Sequence, residues 1–349
     1  MPSVRRYGAI AGAMARDLAR WPRGRPTSVE TYLGLRAAHR ATAGWSSRAL
    51  ATAMAAVPGT VDHVGRDQRP TLDPGMTAAL QVLRDDGLAE LPPLVTAEAA
   101  AALTDFATTA PARIRRHDGP DVRGTWHERP PDTAAAFVDG AFAWARPEIQ
   151  QLLSDPRLIA FATRATGLRP ILHPPQLYWT APTPPGDGGT DVALARVFHW
   201  DYDGVAGLRL HVYLSDVDEG AGPMQYAAGT HRPGSLGWHA PTTLRVNGAE
   251  IGEAMGWSGW RTPVGPAGTT FVTNPHGLHR ALRPTERPRL FLVVPIQGGS
   301  FGGHYRRVRS VPVRDDRFGA LLAAGDPAVR LFVAAEAGAR TAALADVGY

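Results

Sequence analysis

Between residues 171 and 297 the chain breaks into short β-prone runs separated by glycine and proline, with no helical periodicity between them. Strands are expected at Ile171–Trp179, Leu194–Trp200, Leu208–Ser215, Pro223–Ala228, Thr269–Thr273, Gly277–Ala281 and Arg289–Ile296. Many short strands with turn signals and no intervening helices argue for antiparallel pairing. Such a series hides its edges and apolar faces by folding into a sandwich or barrel. The expected class is α+β: a double-stranded β-helix (a jelly-roll, cupin-like barrel) with flanking helices.

Helical signals surround this core. Residues 1–84 read as a helical N-terminal extension. Thr27 and Glu30 make a capping-box pattern for a helix through Ala43, where Gly44 can stop it, and Asp73-Pro74 opens another running to Arg84. Thr96 caps a helix from Ala97 to about Phe106, and further helices are expected near 143–153 and from Pro156 to Ala165. Residues 107–135, rich in arginine and proline, are expected to be loops. The core is assigned to 85–298, and 299–349 to a tail of basic loops and two helices, the second capped by Asp326-Pro327.

Composition removes several chemistries. The chain has no cysteine, which excludes disulfides, thiolate zinc sites, iron–sulfur clusters and cysteine nucleophiles, and leaves His, Asp and Glu as metal ligands. The net charge is +5 and every basic residue is arginine, scattered without a basic helix or an aromatic RNA-binding motif, so no nucleic-acid partner is expected. No stretch approaches 18 uninterrupted apolar residues. The apolar run after Arg5-Arg6 is short and is followed at once by Arg16, Asp17 and Arg20. A cytoplasmic protein without a membrane anchor is expected.

The strongest local feature is Arg196-Val197-Phe198-His199-Trp200-Asp201. Side chains alternate along a strand, so His199 and Asp201 project from one face and Phe198 and Trp200 from the other. An imidazole and a carboxylate so placed can be adjacent ligands of a divalent metal, although alone they could equally be a hydrogen-bonded pair. Later in the chain come His276 and His279, within Asn274-Pro275-His276-Gly277-Leu278-His279-Arg280, and then Arg287-Pro288-Arg289 entering a strongly apolar run. Two histidines and a carboxylate on one face leave positions open on iron(II) for a chelating cosubstrate and oxygen. An arginine can grip the distal carboxylate of 2-oxoglutarate bidentately.

Taken together, His199-Trp200-Asp201, Tyr213-Leu214-Ser215-Asp216-Val217, Gly222-Pro223 and Gly229-Thr230-His231-Arg232 resemble the phytanoyl-CoA dioxygenase family over roughly residues 85 to 298. The resemblance implies an iron(II)- and 2-oxoglutarate-dependent dioxygenase with His199, Asp201 and a distal histidine as metal ligands. Gly277-Leu278-His279-Arg280 favours His279, with His276 as the alternative. Proline is tolerated at a strand's first position, so Pro288 starts the last strand and favours Arg289 for the cosubstrate, with Arg287 as the alternative. Retention of Asp201, which halogenating relatives replace with a small residue, implies hydroxylation or a related oxidation.

The partners implied are a small-molecule substrate and oxygen. Trp200, Asp203, Trp238 and Trp257 are candidate substrate contacts, the last two in an insertion spanning Ser235–Thr262. His231 and Arg232 are expected to shape their turn, His211 to pack within its strand, and Arg306, Arg307 and Arg309 to form a solvated face. A non-redox metal enzyme on a cupin-like barrel and an inactive binding module are the competing readings.

Overall fold

The computed structural model describes residues 4–23, 27–182, 196–235, 245–246, 259–303, 308–326 and 333–335. Its first helices are α1 (Val4–Arg20), α2 (Val29–Ala41) and α3 (Trp45–Ala56). Ser28, not Thr27, caps α2: its hydroxyl accepts from the Thr31 amide and donates to Asp17 at 2.6 Å. The Thr27 hydroxyl instead accepts from the Gly302 amide at 2.8 Å, a tertiary contact that local sequence does not reveal. Gly44, with φ 91°, opens α3 at its N-cap rather than ending α2. Next comes α4 (Pro74–Asp86), capped by Asp73, whose carboxylate accepts from the Met76 amide at 2.8 Å, and closed by Gly87 in the left-handed region.

Strand β1 (Leu88–Glu90) leads to α5 (Ala97–Thr109), capped by Thr96. The stretch expected to be loops holds three strands, β2 (Ala112–Arg116), β3 (Val122–Gly124) and β4 (Thr133–Val138). In β2 the small apolar side chains of Ala112 and Ile114 point inward, while Arg113 and Arg116 pair outward with Asp121 and Asp132. A strand whose outward face is all arginine has the composition of a loop. Helices α6 (Gly140–Trp144), α7 (Pro147–Leu153) and α8 (Pro156–Thr166) follow.

The expected strand at 171–179 is two, β5 (Pro170–Leu172) and β6 (Gln176–Thr180), separated at Pro174-Pro175. The remaining elements are β7 (Phe198–His199), β8 (Gly207–Tyr213), β9 (Met224–Ala227), β10 (Arg245–Val246), β11 (Trp260–Arg261), β12 (Thr270–Thr273), β13 (His279–Ala281) and β14 (Arg289–Gly298). In the tail, β15 (Val308–Val311) and β16 (Val333–Ala335) pair parallel around α9 (Asp316–Ala323). The helix expected after Asp326 lies outside the described residues.

Two antiparallel sheets result. The larger runs β1-β12-β8-β14-β6-β4-β2-β3, with β5 also on β14, and the smaller runs β10-β7-β13-β9-β11. Pro295 sits in β14 between its pairing with β6, which ends at Val293, and its pairing with β5, which begins at Ile296, so the missing N–H falls at a change of partner.

Alternation gives the larger sheet two different faces. Leu208, Leu210 and Val212 of β8, with Leu290, Leu292, Val294 and Ile296 of β14, join the main apolar cluster with α4, α5, α7 and α8. Their neighbours of opposite parity, Tyr213, Phe271, Phe291 and Val293, pack against Met224 and Tyr226 of the smaller sheet. The outer face of the smaller sheet contributes Phe198 and Trp200, which are buried with Tyr202, Val205, Leu278 and Phe301 against Trp21, Leu35 and Met54 of the N-terminal helical layer. The two sheets thus enclose a space, and helices cover both outer faces.

Candidate metal centre

The smaller sheet brings the two histidines together. Strands β7 and β13 are neighbours, and His279 lies directly opposite His199 in their register. Directly opposed residues on antiparallel strands hold their side chains within contact distance, and the two imidazole centroids are 4.3 Å apart. Asp201 follows the end of β7, where its amide donates to the Pro275 carbonyl at 2.8 Å, tying the metal strand to the turn that precedes β13. Its Oδ2 lies 3.6 Å from His199 Nε2 and 3.3 Å from His279 Nε2. Among the described residues, His199, Asp201 and His279 are the group of potential ligands that converges, with ligand atoms within 4.8 Å of one another.

Hydrogen bonding fixes what these atoms offer. His199 Nδ1 faces the Val197 carbonyl and His279 Nδ1 faces the Gly277 carbonyl, each at 2.9 Å. A carbonyl only accepts, so each Nδ1 carries a proton, and in the neutral ring each Nε2 presents a lone pair. Two imidazole lone pairs and a carboxylate oxygen therefore converge without a proton to share, an arrangement that a cation stabilises. Burial, and next the neighbouring His199, lower the His279 pKa and keep it neutral. Burial would raise the Asp201 carboxyl, but the Arg209 guanidinium, the largest opposing influence, helps hold the group well below the usual carboxylate range.

Arg209, on the inward face of β8, is a residue that the sequence did not single out. Its guanidinium contacts Asp201 Oδ2 at 2.6 Å and grips Asp203 at 2.7 and 3.0 Å. Asp203 therefore acts on the site through Arg209. Inward parity with His211 was the one available signal, and it acquires meaning only once β8 is known to face β7.

Of the two distal histidines, His276 stands apart from this cluster. Its Nε2 faces the Gly204 carbonyl at 3.0 Å, and its ring lies 4.3 Å from that of His39. Arg289 is fully buried on the inward face of β14, with its guanidinium carbon 4.8 Å from the Phe291 ring centroid and an Nη1 bond to the Gly222 carbonyl. Its Nε has no partner among the described residues. Arg287 is half exposed and pairs with Asp218.

Trp200 faces the N-terminal helices, away from the three ligands, with its ring 5.2 Å from His39. Trp238, Trp257, Arg306 and Arg307 lie outside the described residues, and the side chain of Arg309 is likewise not described. His231 and Arg232 bond the carbonyls of Arg84 and Asp85, anchoring their turn to the end of α4. A cleft of about 940 Å³ between α3, α4 and the barrel is lined by His39, Arg48, Arg84, His231 and His276, and contains none of the three ligands.

No family model matches the chain, and no curated protein matches it. Solved structures do resemble it. The epimerase SnoN in complex with Fe3+, alpha ketoglutarate and nogalamycin RO is 18% identical over 70% of this chain and 98% of that one, with a TM-score of 0.47. HygX from Streptomyces hygroscopicus, with nickel and 2-oxoglutarate bound, is 15% identical over 68% of this chain and 91% of that one, with a TM-score of 0.46. SnoK, a non-heme alpha ketoglutarate dependent carbocyclase from nogalamycin biosynthesis, is 19% identical over 65% and 88%, with a TM-score of 0.43. Likeness this distant carries no argument about chemistry, which rests on the geometry above. No helix among the described residues is long and apolar enough to cross a membrane.

Proposed function

We propose that this chain is an iron(II)- and 2-oxoglutarate-dependent oxygenase, built on a double-stranded β-helix, that oxidises a small metabolite in the cytoplasm. The observation that carries the reading is the convergence of the His199 and His279 Nε2 lone pairs on the Asp201 carboxylate. Two imidazoles and one carboxylate from a single face suit a non-heme iron(II) that keeps positions open. When bound, iron supplies the oxidising chemistry, coupling oxygen reduction to decarboxylation of the keto acid.

The chain's own residues would do the rest. His199, Asp201 and His279 would hold the metal, and Arg209 would orient the carboxylate between Asp201 and Asp203. Arg289, buried with an unpartnered Nε, would receive the distal carboxylate of 2-oxoglutarate. Charge supports this: a divalent metal, Asp201, Asp203 and a dicarboxylate sum to a net negative charge, which Arg209 and Arg289 offset. Because Asp201 occupies the position a halide would need, hydroxylation or a related oxidation is the reaction proposed.

The test is succinate formation from 2-oxoglutarate by protein purified without oxygen, then given iron(II) and air, alongside His199→Ala. Turnover that His199→Ala abolishes supports the class. Absence of both turnover and iron-dependent binding of 2-oxoglutarate would overturn it, leaving a non-redox metal enzyme or a binding module.

A further inference from the structure

The inward face of β8 reads Arg209, His211, Tyr213, and the middle residue is the least explained. His211 is 3% exposed and lies between Phe271 and Phe291, with ring centroids at 4.9 and 5.3 Å and nearly parallel planes. Its Nε2 is 2.9 Å from the Thr273 hydroxyl. Its Nδ1 is buried without a partner among the described residues. A buried, unsatisfied polar atom costs on the order of 1–3 kcal/mol, so it persists where something else satisfies it or where function requires it.

A second such atom lies nearby, the Nε of Arg289. Among the groups that act on His211 electrostatically are Arg209, which contacts Asp201, His279 of the ligand cluster, and Arg289. The register agrees. His211 pairs with Val293, Arg209 with Pro295 and Tyr213 with Phe291, so His211 stands one same-face step from Arg209 toward the Arg289 end of β14. The Arg289 guanidinium and the His211 imidazole both lie against the Phe291 ring, at 4.8 and 5.3 Å from its centroid. The order along the space between the sheets is ligand cluster, Arg209, His211, Arg289.

We propose that His211 is a positioning residue for the cosubstrate, its Nδ1–H donating to the distal carboxylate that Arg289 Nε also receives. The inference rests on the 2-oxoglutarate reading and deepens it. Two orphan donors match the two oxygens of one carboxylate. The Thr273 hydroxyl then donates to Nε2, leaving the proton on Nδ1. The phenylalanines on either side hold the ring in plane, so the donor is oriented before the ligand arrives. Burial, then Arg209, keep the imidazole neutral, the form in which a single N–H is directed at an acceptor.

Calorimetry without oxygen on the metal-loaded protein tests this, with two probes that differ at the distal end. 2-Oxoglutarate carries the distal carboxylate, and pyruvate lacks it. His211→Phe removes the donor while keeping an aromatic ring between Phe271 and Phe291. It is expected to weaken 2-oxoglutarate about 10- to 100-fold, the range of a hydrogen bond to a charged group, and to leave pyruvate unchanged. His211→Asn, which restores an N–H near the Nδ1 position, is expected to recover part of the loss. Equal affinity of wild type and His211→Phe for 2-oxoglutarate overturns the inference and leaves the functional reading intact. So does equal weakening of both probes, which would mark a structural role. A metal-loaded wild type that binds no 2-oxoglutarate overturns both.

Discussion

At Asp201 one carboxylate oxygen is contested. Oδ2 is the atom nearest both histidine nitrogens, and Arg209 holds the same atom at 2.6 Å. Asp203 decides how firmly Arg209 holds on, because it takes two of the guanidinium's donors. Without Asp203 the guanidinium turns wholly to Asp201 and competes with the metal. Asp203→Asn is therefore expected to weaken iron(II) or manganese(II) binding about 10-fold, the scale of losses at groups that orient ligands; unchanged affinity in a calorimetric titration would refute this role.

Acidity affects the same centre. As a metal ligand in the proposed centre His279 would have to be neutral, and its pKa is lowered, chiefly by burial. The neutral form of His279 thus prevails below the ordinary histidine value, and its ring is expected to stay neutral on mild acidification to below pH 6.5 in a titration followed by NMR. A titration midpoint at or above that value would show that burial does not govern this site. The His-x-Asp pair was legible in the sequence because strand alternation is local. Arg209 was not, because its meaning comes from a strand eight residues further on folding across to face Asp201.

Helix α2 carries one side chain that makes its docking sensitive to pH. His39 is buried, with its Nδ1 2.9 Å from the Ser47 hydroxyl and its ring against Trp200, Tyr202 and His276. Burial, then His276, lower its pKa to about 3. A lowered histidine pKa means that the unfolded chain takes up a proton below about pH 6.5 while the folded chain does not. Stability is therefore lost as pH falls from 6.5 toward 3. His39→Leu is expected to remove on the order of 3 kcal/mol of the decline between pH 6.5 and 4, at about 1.4 kcal/mol per pH unit. Parallel urea titrations would show it, and identical slopes for wild type and variant would refute it. Capping signals at Asp73 and Thr96 located α4 and α5 because a cap is a matter of neighbouring residues. The strand β4 is hard to read locally because Ala134, Ala135 and Ala136 are weak strand formers that pairing with β6 and β2 holds in place, and β2 because arginines fill its outward face.

The N-terminal layer and the metal strand share one apolar cluster. Trp21 and Leu35 on one side and Phe198, Trp200 and Tyr202 on the other bury each other, so the back of β7 is supported by residues distant in sequence. Trp21 also donates to Asp62 at 2.5 Å, and Ser300 donates to that carboxylate at 2.8 Å. Removing the indole takes away a large buried surface and one of the donors to a buried carboxylate. Trp21→Ala is expected to cost about 3–5 kcal/mol of stability, as large aromatic truncations in cores do. The effect should also reach the metal. Phe198 and Trp200 flank His199, and once their backing loosens, the three lone pairs lose the alignment that makes them a site. Weaker metal binding in Trp21→Ala, with the ligands themselves untouched, is the expected result. Metal affinity equal to wild type, in a variant shown by urea titration to be less stable, would mean that the barrel holds its ligands without the helices.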